Sequence, residues 1–237
     1  MTAPEKLALH FTTEGYHSRS DKHSNFLCRA FIDDLLERCP KIAFDAREGN
    51  LVYKINYSTK GVSGDLNMDL AIGPPAGEPV QSDVGMREGN PVRVRIGVEA
   101  KNIMTEHKKA RLNRKRDLIS HATYVHSLDR NAIAAGIVVI NCSDVFQSML
   151  RKELTSHKTI EHDLPNFISE FRQLPERQTA TEPDGILEAR SVIVIDFGGL
   201  RGQPASVLSR LPAPQPGDNL YYEAMLRAIC DSYSQRF

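Results

Sequence analysis

Several features that assign a protein to a special class are absent from this sequence of 237 residues. It has no tryptophan, and no apolar run approaches the ~20 residues that a membrane-spanning helix needs. Neither sign of charge is in excess, because 30 basic residues balance 30 acidic residues. We therefore do not expect the protein to bind polyelectrolytes through its overall charge. A zero net charge is still compatible with a local basic patch that binds nucleic acid.

Cysteine is sparse and scattered along the chain. Cys28, Cys39, Cys142 and Cys230 show no Cys-x-x-Cys spacing. This pattern is typical of reduced cysteines that act as small apolar residues, and it indicates neither a disulfide framework nor a zinc site. Residues 1–10 also lack the long apolar region of a signal peptide. We therefore expect a soluble, cytoplasmic protein that does not associate with a membrane.

The composition that remains suits one globular α/β domain. Apolar residues make up 41% of the chain and charged residues 25%, which is ordinary for a domain with a normal core. Helical and strand-like patterns alternate, and this alternation indicates layers of helices on a sheet. We expect an N-terminal arm with little regular structure over residues 1–20 and a single domain over 21–237. The core of that domain covers about 25–141, and a C-terminal extension covers 142–237.

The apolar spacing locates the elements. Helical periodicity predicts helices over 21–38, 103–128 and 221–233, with further helices within 145–171. Alternation or continuous apolar runs predict strands over 41–46, 51–57, 64–72, 93–101, 132–141 and 191–197. Residues rich in glycine and proline predict a long loop over 77–90 and a surface loop over 204–217.

Acidic residues interrupt two of these apolar runs in a way that suggests chemistry. Asp69 lies within one run, and Glu99-Ala100-Lys101 ends the next. Because strand side chains alternate between faces, Glu99 and Lys101 share one face, about 6.5–7 Å apart along the strand. If the Asp69 strand pairs beside them, two carboxylates and an ammonium converge. Oxygen ligands of this kind suit Mg²⁺, and such a site can hydrolyse a phosphodiester.

These residues resemble a known motif. Asp69, followed at a distance by Glu99-Ala100-Lys101 on an apolar strand, is similar to the signature of the PD-(D/E)xK nuclease superfamily. The resemblance covers roughly residues 25–141, and Met68 stands where the first motif often has proline. It implies an α/β fold with a restriction-endonuclease-like mixed central sheet flanked by helices. The core order it implies is helix, three-stranded meander, helix, strand.

The resemblance also implies an activity. The superfamily includes restriction endonucleases, repair nucleases and anti-phage effectors, so we expect a Mg²⁺-dependent endonuclease of restriction-modification or antiviral defence. Its partners would be double-stranded DNA and further copies of the same chain, with a dimer favoured. Asp69 and Glu99 would bind Mg²⁺, or Mn²⁺ in its place, and the Ala100 carbonyl would be a third ligand. Lys101 would orient or deprotonate a water, or neutralise the charge of the phosphorane.

Further candidates extend this site. Glu37, at the end of the first predicted helix, would be an extra metal ligand, and Asp65 would act in place of Asp69 or beside it. A basic block follows Lys101 within the predicted helix: His107, Lys108, Lys109, Arg111, Arg114, Lys115 and Arg116. Clusters of this kind bind phosphates. We predict nucleic-acid contacts from five of these residues, His107, Lys108, Arg111, Arg114 and Lys115.

Non-catalytic interpretations of the same residues stay open beside these predictions. The charged strand residues would also suit an exposed hairpin with a solvated face, and the basic block would suit a solvated helix surface. A second functional class is a non-catalytic nucleic-acid-binding or sensing module that retains the nuclease fold. Metal-dependent nicking of a supercoiled plasmid separates that module from an enzyme.

Overall fold

The structure, a computed structural model, describes residues 1–17, 20–61, 64–147, 153–157, 160–198 and 203–237. Its helices are α1 (Ala3–Glu14), α2 (Lys22–Arg38), α3 (Pro40–Arg47), α4 (His107–Leu128), α5 (Ile160–Arg172) and α6 (Tyr222–Arg236). Its strands are β1 (Val52–Gly61), β2 (Gly64–Gly73), β3 (Arg87–Glu88), β4 (Ile96–Ile103), β5 (Ile133–Asn141), β6 (Val145–Phe146), β7 (Thr155–Ser156), β8 (Ala189–Asp196) and β9 (Ser206–Val207).

Seven strands form a mixed central sheet in the order β3-β1-β2-β4-β5-β8-β9. The pairs β1–β2 and β2–β4 are antiparallel, whereas β4, β5 and β8 run parallel to one another. The two-residue strands β3 and β9 lie at the edges, and β6 pairs with β7 outside the sheet. The expected α/β class with a mixed sheet flanked by helices is confirmed.

Helices cover both faces of this sheet. One face packs against α1, α2, α3 and α6, and the other packs against α4 and α5. Helix α4 approaches very closely, because a Cβ atom at Gly97 would lie 2.6 Å from Val125 Cγ2, and one at Gly136 would lie 2.6 Å from Leu118 Cδ2. Glycine in β4 and β5 therefore lets α4 rest on the same face that carries Glu99 and Lys101.

Two predicted elements at the N-terminal end are wrong. Residues 1–20 are not an arm with little regular structure, because a capping box between Thr2 and Glu5 opens helix α1, whose Leu7 and Phe11 are buried. Residues 41–46 form part of helix α3 and not a strand. The proline at position 40 begins that helix, and residues 42 and 46 are buried at helical spacing. The division of the chain into one domain with a C-terminal extension stays a prediction.

The remaining elements follow the predictions with shifted boundaries. Helices α2 and α6 and strands β1, β2, β5 and β8 lie where expected. The strand carrying Lys101 continues to Ile103, so α4 begins at His107 and not at residue 103. The region 145–171 contains the β6–β7 hairpin before α5, and β3 and β9 form short strands within the two predicted loops.

The prediction of four reduced cysteines is wrong, because Cys39 and Cys230 form a disulfide between the α2–α3 junction and α6. Cys28 and Cys142 are free thiols. Disulfides persist mainly in oxidising compartments, so the structure lends no support to the cytoplasmic expectation. Within the part of the chain that the structure describes, no helix is long and apolar enough to cross a membrane.

Candidate active site

The sheet opens at the point where the predicted carboxylates lie. Strands β2 and β4 pair through Leu70–Val98, Ala71–Gly97 and Ile72–Ile96, and no ladder pair follows on the side of Asp69. Strand β4 stays in register with β5 as far as Ile103. The Ala100 N–H instead donates to Asp69 Oδ2, with a distance of 2.8 Å between nitrogen and oxygen. An aspartate side chain therefore takes the place of a backbone acceptor at this fork.

Asp69, Glu99 and Lys101 meet at the fork. Lys101 Nζ lies 3.9 Å from Asp69 Oδ2 and forms an ion pair with Glu99. The three side chains are largely buried, with 18%, 12% and 26% of their surfaces exposed, in the order Asp69, Glu99 and Lys101. The structure therefore brings together the three residues that the sequence predicted to converge.

Burial and neighbouring charges perturb both acids. Burial raises the pKa of Asp69, and the negative charge of Glu99 raises it further. Burial also raises the pKa of Glu99, against the opposing charge of Lys101. Burial alone would lower the pKa of Lys101, but the adjacent carboxylates of Glu99 and Asp69 outweigh it and raise that pKa. Lys101 is therefore a cation in the free protein and cannot act there as a base.

Helix α4 contributes two residues that sequence reasoning missed. The His121 Nε2–H donates to the Gly97 carbonyl at 3.1 Å, and Nδ1 lies 3.8 Å from Glu99 Oε2. Burial lowers the pKa of His121 to about 4, so its ring is neutral at physiological pH. The charge of Asp117 raises the pKa of both Glu99 and Lys101. The signal that was available is their spacing of four residues, which places both on one side of a helix.

Glu37, one of the two extra acids, lies away from this cluster. Helix α2 approaches the carboxylates through Cys28, whose pKa is raised by burial and by the charges of Asp69 and Glu99. Glu37 lies nine residues further along α2, about 13 Å along the axis, with 71% of its side chain exposed. Asp65 pairs in register with Lys60, about 13 Å along β2 from Asp69, and its side chain is outside what the structure describes. Glu37 is therefore withdrawn as a metal ligand.

The basic block divides into buried, paired and free groups. His107 is 7% exposed, and its Nε2 lies 2.8 Å from the Asn141 carbonyl oxygen, so it is withdrawn as a surface phosphate contact. Three of the predicted contacts form ion pairs: Lys108 with Asp163 at 3.6 Å, Arg111 with Glu170 at 3.0 Å and Arg114 with Asp117 at 2.7 Å.

The other cations of α4 are not engaged in this way. Among the described residues, no ion pair involves Lys109, Lys115 or Arg116. Lys109 and Arg116 are exposed and Lys115 is half-buried. Of the five predicted nucleic-acid contacts, Lys115 alone therefore has a cation that no described acid neutralises.

The carboxylates fit a hard divalent cation. Among residues with a described placement, no group of three or more His, Cys, Asp or Glu side chains is arranged to hold a metal ion. Magnesium, however, is often bound by one or two carboxylates, with waters and substrate phosphates as its other ligands. Burial raises the pKa of both Asp69 and Glu99, and a divalent cation beside them would favour their charged forms. The Ala100 carbonyl stays a predicted third ligand.

Comparisons of the chain with family models, with curated proteins and with solved structures find no match. The fold and the site therefore define its class on their own. It is an α/β protein that carries a buried cluster of two carboxylates and one lysine at a fork in a mixed sheet.

Proposed function

We propose that this protein is a Mg²⁺-dependent endodeoxyribonuclease of the PD-(D/E)xK type with a restriction-endonuclease-like fold. The observation that carries the proposal is the meeting of Asp69, Glu99 and Lys101 where β2 and β4 part. The order α2, β1, β2, β4, α4, β5 supports it, because it follows the helix, meander, helix and strand of that fold, with α3 inserted after α2 and β3 at the edge of the sheet.

The side chains have separate roles in this proposal. Asp69 and Glu99 hold the cation, with Mn²⁺ as an alternative to Mg²⁺. When bound, the cation supplies a water of lowered pKa and polarises the phosphoryl oxygen. Lys101 remains an ammonium, so it donates hydrogen bonds and stabilises the negative charge that develops on the phosphorane. The Ala100 N–H and the neutral His121 ring fix the positions of Asp69 and of the β4 backbone.

The substrate and assembly follow from the same resemblance. We propose double-stranded DNA as substrate, with its phosphates near the free cations Lys109, Lys115 and Arg116 of α4. A homodimer would place two such sites on the two strands of a duplex. Restriction-modification or antiviral defence is the proposed setting.

The test is nicking of a supercoiled plasmid in the presence of Mg²⁺ or Mn²⁺. Asp69→Asn and Glu99→Gln should each lower the rate by about 10³ or more, because a metal's catalytic effect is worth several kcal/mol. Glu37→Gln is the matched control, since it removes an exposed acid outside the cluster. Cleavage that persists in both site variants overturns the assignment. DNA binding without cleavage by the wild type identifies the non-catalytic module instead.

A further inference from the structure

A second cavity lies away from the carboxylates, between α1, the β8–β9 edge of the sheet and residues 204–216. It is an open cleft of about 800 Å³, within the range of small-molecule sites. Strand β8 is separated from β4 by β5, so this cleft belongs to a different part of the sheet from Asp69 and Glu99.

The floor and walls of the cleft are apolar and stiff. Val192 and Val194 of β8 and Ala8 of α1 line it and are themselves almost fully buried. Leu9 borders it with 52% of its surface exposed, so part of its side chain is available to an apolar ligand. Four prolines also line the cleft: Pro4, Pro204, Pro214 and Pro216. Because proline restricts the backbone, these walls are largely formed before a ligand arrives.

Charged groups of one sign line the cleft. Glu5 and Glu223 are the charged residues among the described part of the lining, which contains no lysine, arginine or histidine. Tyr221 lies with them: its pKa is raised by burial, by the charge of Glu223 and by its hydrogen bond to that residue, and the charge of Glu5 raises it further. Both carboxylates therefore act on one end of the cleft, beside a partly exposed aromatic ring.

We propose that this cleft binds a small amphipathic cation, with its apolar body between α1 and β8 and its positive head group beside Glu5, Glu223 and Tyr221. Charge complementarity selects the head group, because an aromatic ring with two carboxylates is the combination that attracts an ammonium ion. The apolar floor selects the tail. The proposal does not depend on nuclease activity, so either can fail without the other.

The experiment titrates the full chain with octyltrimethylammonium and with octanoate, both below their micellar concentrations, by calorimetry. The two probes carry the same length of apolar tail with opposite head-group charges. The cation should bind at least about tenfold more tightly than the anion, because carboxylates and ring attract only the cation. Equal binding of the two probes, or no binding of the cation in the millimolar range, overturns the proposal.

Variants locate the binding. The double variant Glu5→Gln and Glu223→Gln should abolish the preference for the cation, and glutamine at position 5 keeps the capping box of α1. Leu9→Ser should weaken both probes about tenfold. The matched controls are Glu14→Gln and Leu112→Ser, an acid on α1 and a 47% exposed leucine on α4 that do not line the cleft. Binding that responds to the controls as strongly as to the cleft variants also overturns the proposal.

Discussion

Lys101 is the positive charge between two buried acids, so it competes with any cation that those acids would bind. We predict that Lys101→Met binds Mg²⁺ or Mn²⁺ more tightly at pH 8 in the absence of DNA, by roughly tenfold. Cleavage should nevertheless fall by about 10²–10⁴, because the ammonium no longer stabilises the phosphorane. Calorimetric metal titration and plasmid nicking measure the two effects separately.

The control for this prediction is Lys101→Arg, which keeps the positive charge. Metal affinity in Lys101→Arg should stay near that of the wild type. If Lys101→Met binds metal no more tightly than Lys101→Arg, the charge of Lys101 does not oppose the cation. A normal cleavage rate in Lys101→Met would remove this residue from the mechanism.

Asp69 should lower the stability of the free protein at neutral pH. Its pKa is raised in the fold, first by burial and then by Glu99, so the native state holds its proton more tightly than the unfolded chain does. The protonated Asp69 therefore stabilises the fold at pH values below its pKa in the unfolded chain. This stabilisation is lost as the pH rises through the pKa of Asp69 in the native state. We predict that Asp69→Asn, which can still accept from the Ala100 N–H, raises the midpoint of thermal unfolding at pH 7.

The same variant should show no gain at low pH, where Asp69 in the wild type is protonated. Each 1 kcal/mol shifts the midpoint by about 2–4 °C in a chain of this size. Thermal unfolding of both proteins at pH 3.5 and pH 7, without divalent cations, measures the difference. A gain at pH 3.5 that equals the gain at pH 7 would contradict the electrostatic cause.

Sequence reasoning predicted that Glu99 and Lys101 share a face, because alternation along one strand depends only on the local backbone. Asp69 was expected to join them only if its strand paired beside theirs. That reasoning could not find Asp117 or His121, which act on Glu99 from α4. Their effect depends on the close packing of α4 over the sheet, and a spacing of four residues does not show which side of a charged helix faces that sheet. Sequence reasoning also selected Glu37, because the sequence does not show which end of α2 approaches the site.

Helix α4 presents both paired and free cations. We predict that the triple variant Lys109→Ala, Lys115→Ala and Arg116→Ala weakens DNA binding for all sequences alike. Its salt dependence should fall by up to about one unit for each cation removed. Lys108 and Arg111 already pair with acids of α5, so Lys108→Ala and Arg111→Ala should change affinity less. DNA affinity measured at several salt concentrations separates the two sets.

An equal loss of DNA affinity in the variants of free cations and of paired cations would mean that the ion pairs to α5 break when DNA binds. An unchanged salt slope in the triple variant would show that α4 is a solvated face and that DNA is held elsewhere. Metal affinity is the internal control, because none of these cations contacts Asp69 or Glu99 among the described residues.

The predicted helices and strands succeeded where one period dominates a long segment, as in β5, whose residues are all buried. They failed where a short segment fits two periods. Residues 41–46 alternate like a strand, yet Pro40 and the burial of Ile42 and Ala46 give helix α3. Helix α4 packs through Leu118, Ala122 and Val125, whereas its Leu112 and Ile119 are exposed.

The disulfide between Cys39 and Cys230 links distant parts of the chain and closes a loop with a sequence separation of 191 residues. Closing so long a loop restricts the unfolded chain strongly. We predict that reduction, or the double variant Cys39→Ala and Cys230→Ala, lowers the free energy of unfolding by about 2–5 kcal/mol. Urea unfolding with and without reductant measures this loss.

The free thiols provide the control for the disulfide. The double variant Cys28→Ser and Cys142→Ser should still lose stability on reduction, because it leaves the bond intact. The variant without Cys39 and Cys230 should be insensitive to reductant. If the wild type is insensitive as well, the two cysteines are not linked in the protein as isolated.

The sheet order could be predicted only in part. The parallel strands β4, β5 and β8 follow from long apolar segments separated by helices, which is the pattern of parallel strands covered on both faces. The edge strands β3 and β9 are two residues long and leave no sequence pattern. The disulfide escaped prediction because 191 residues of sequence separate two cysteines that the fold brings to a Cα–Cα distance of 5.4 Å.

The fork between β2 and β4 has a consequence for amide hydrogen exchange. Residues 70–72 of β2 have a partner strand on each side, whereas residues 67 and 68 pair with β1 alone. Amides of residues 67 and 68 that point away from β1 should exchange with deuterium much faster than those of residues 70–72. A boundary in deuterium uptake at Asp69 would therefore report the fork in solution without DNA or metal.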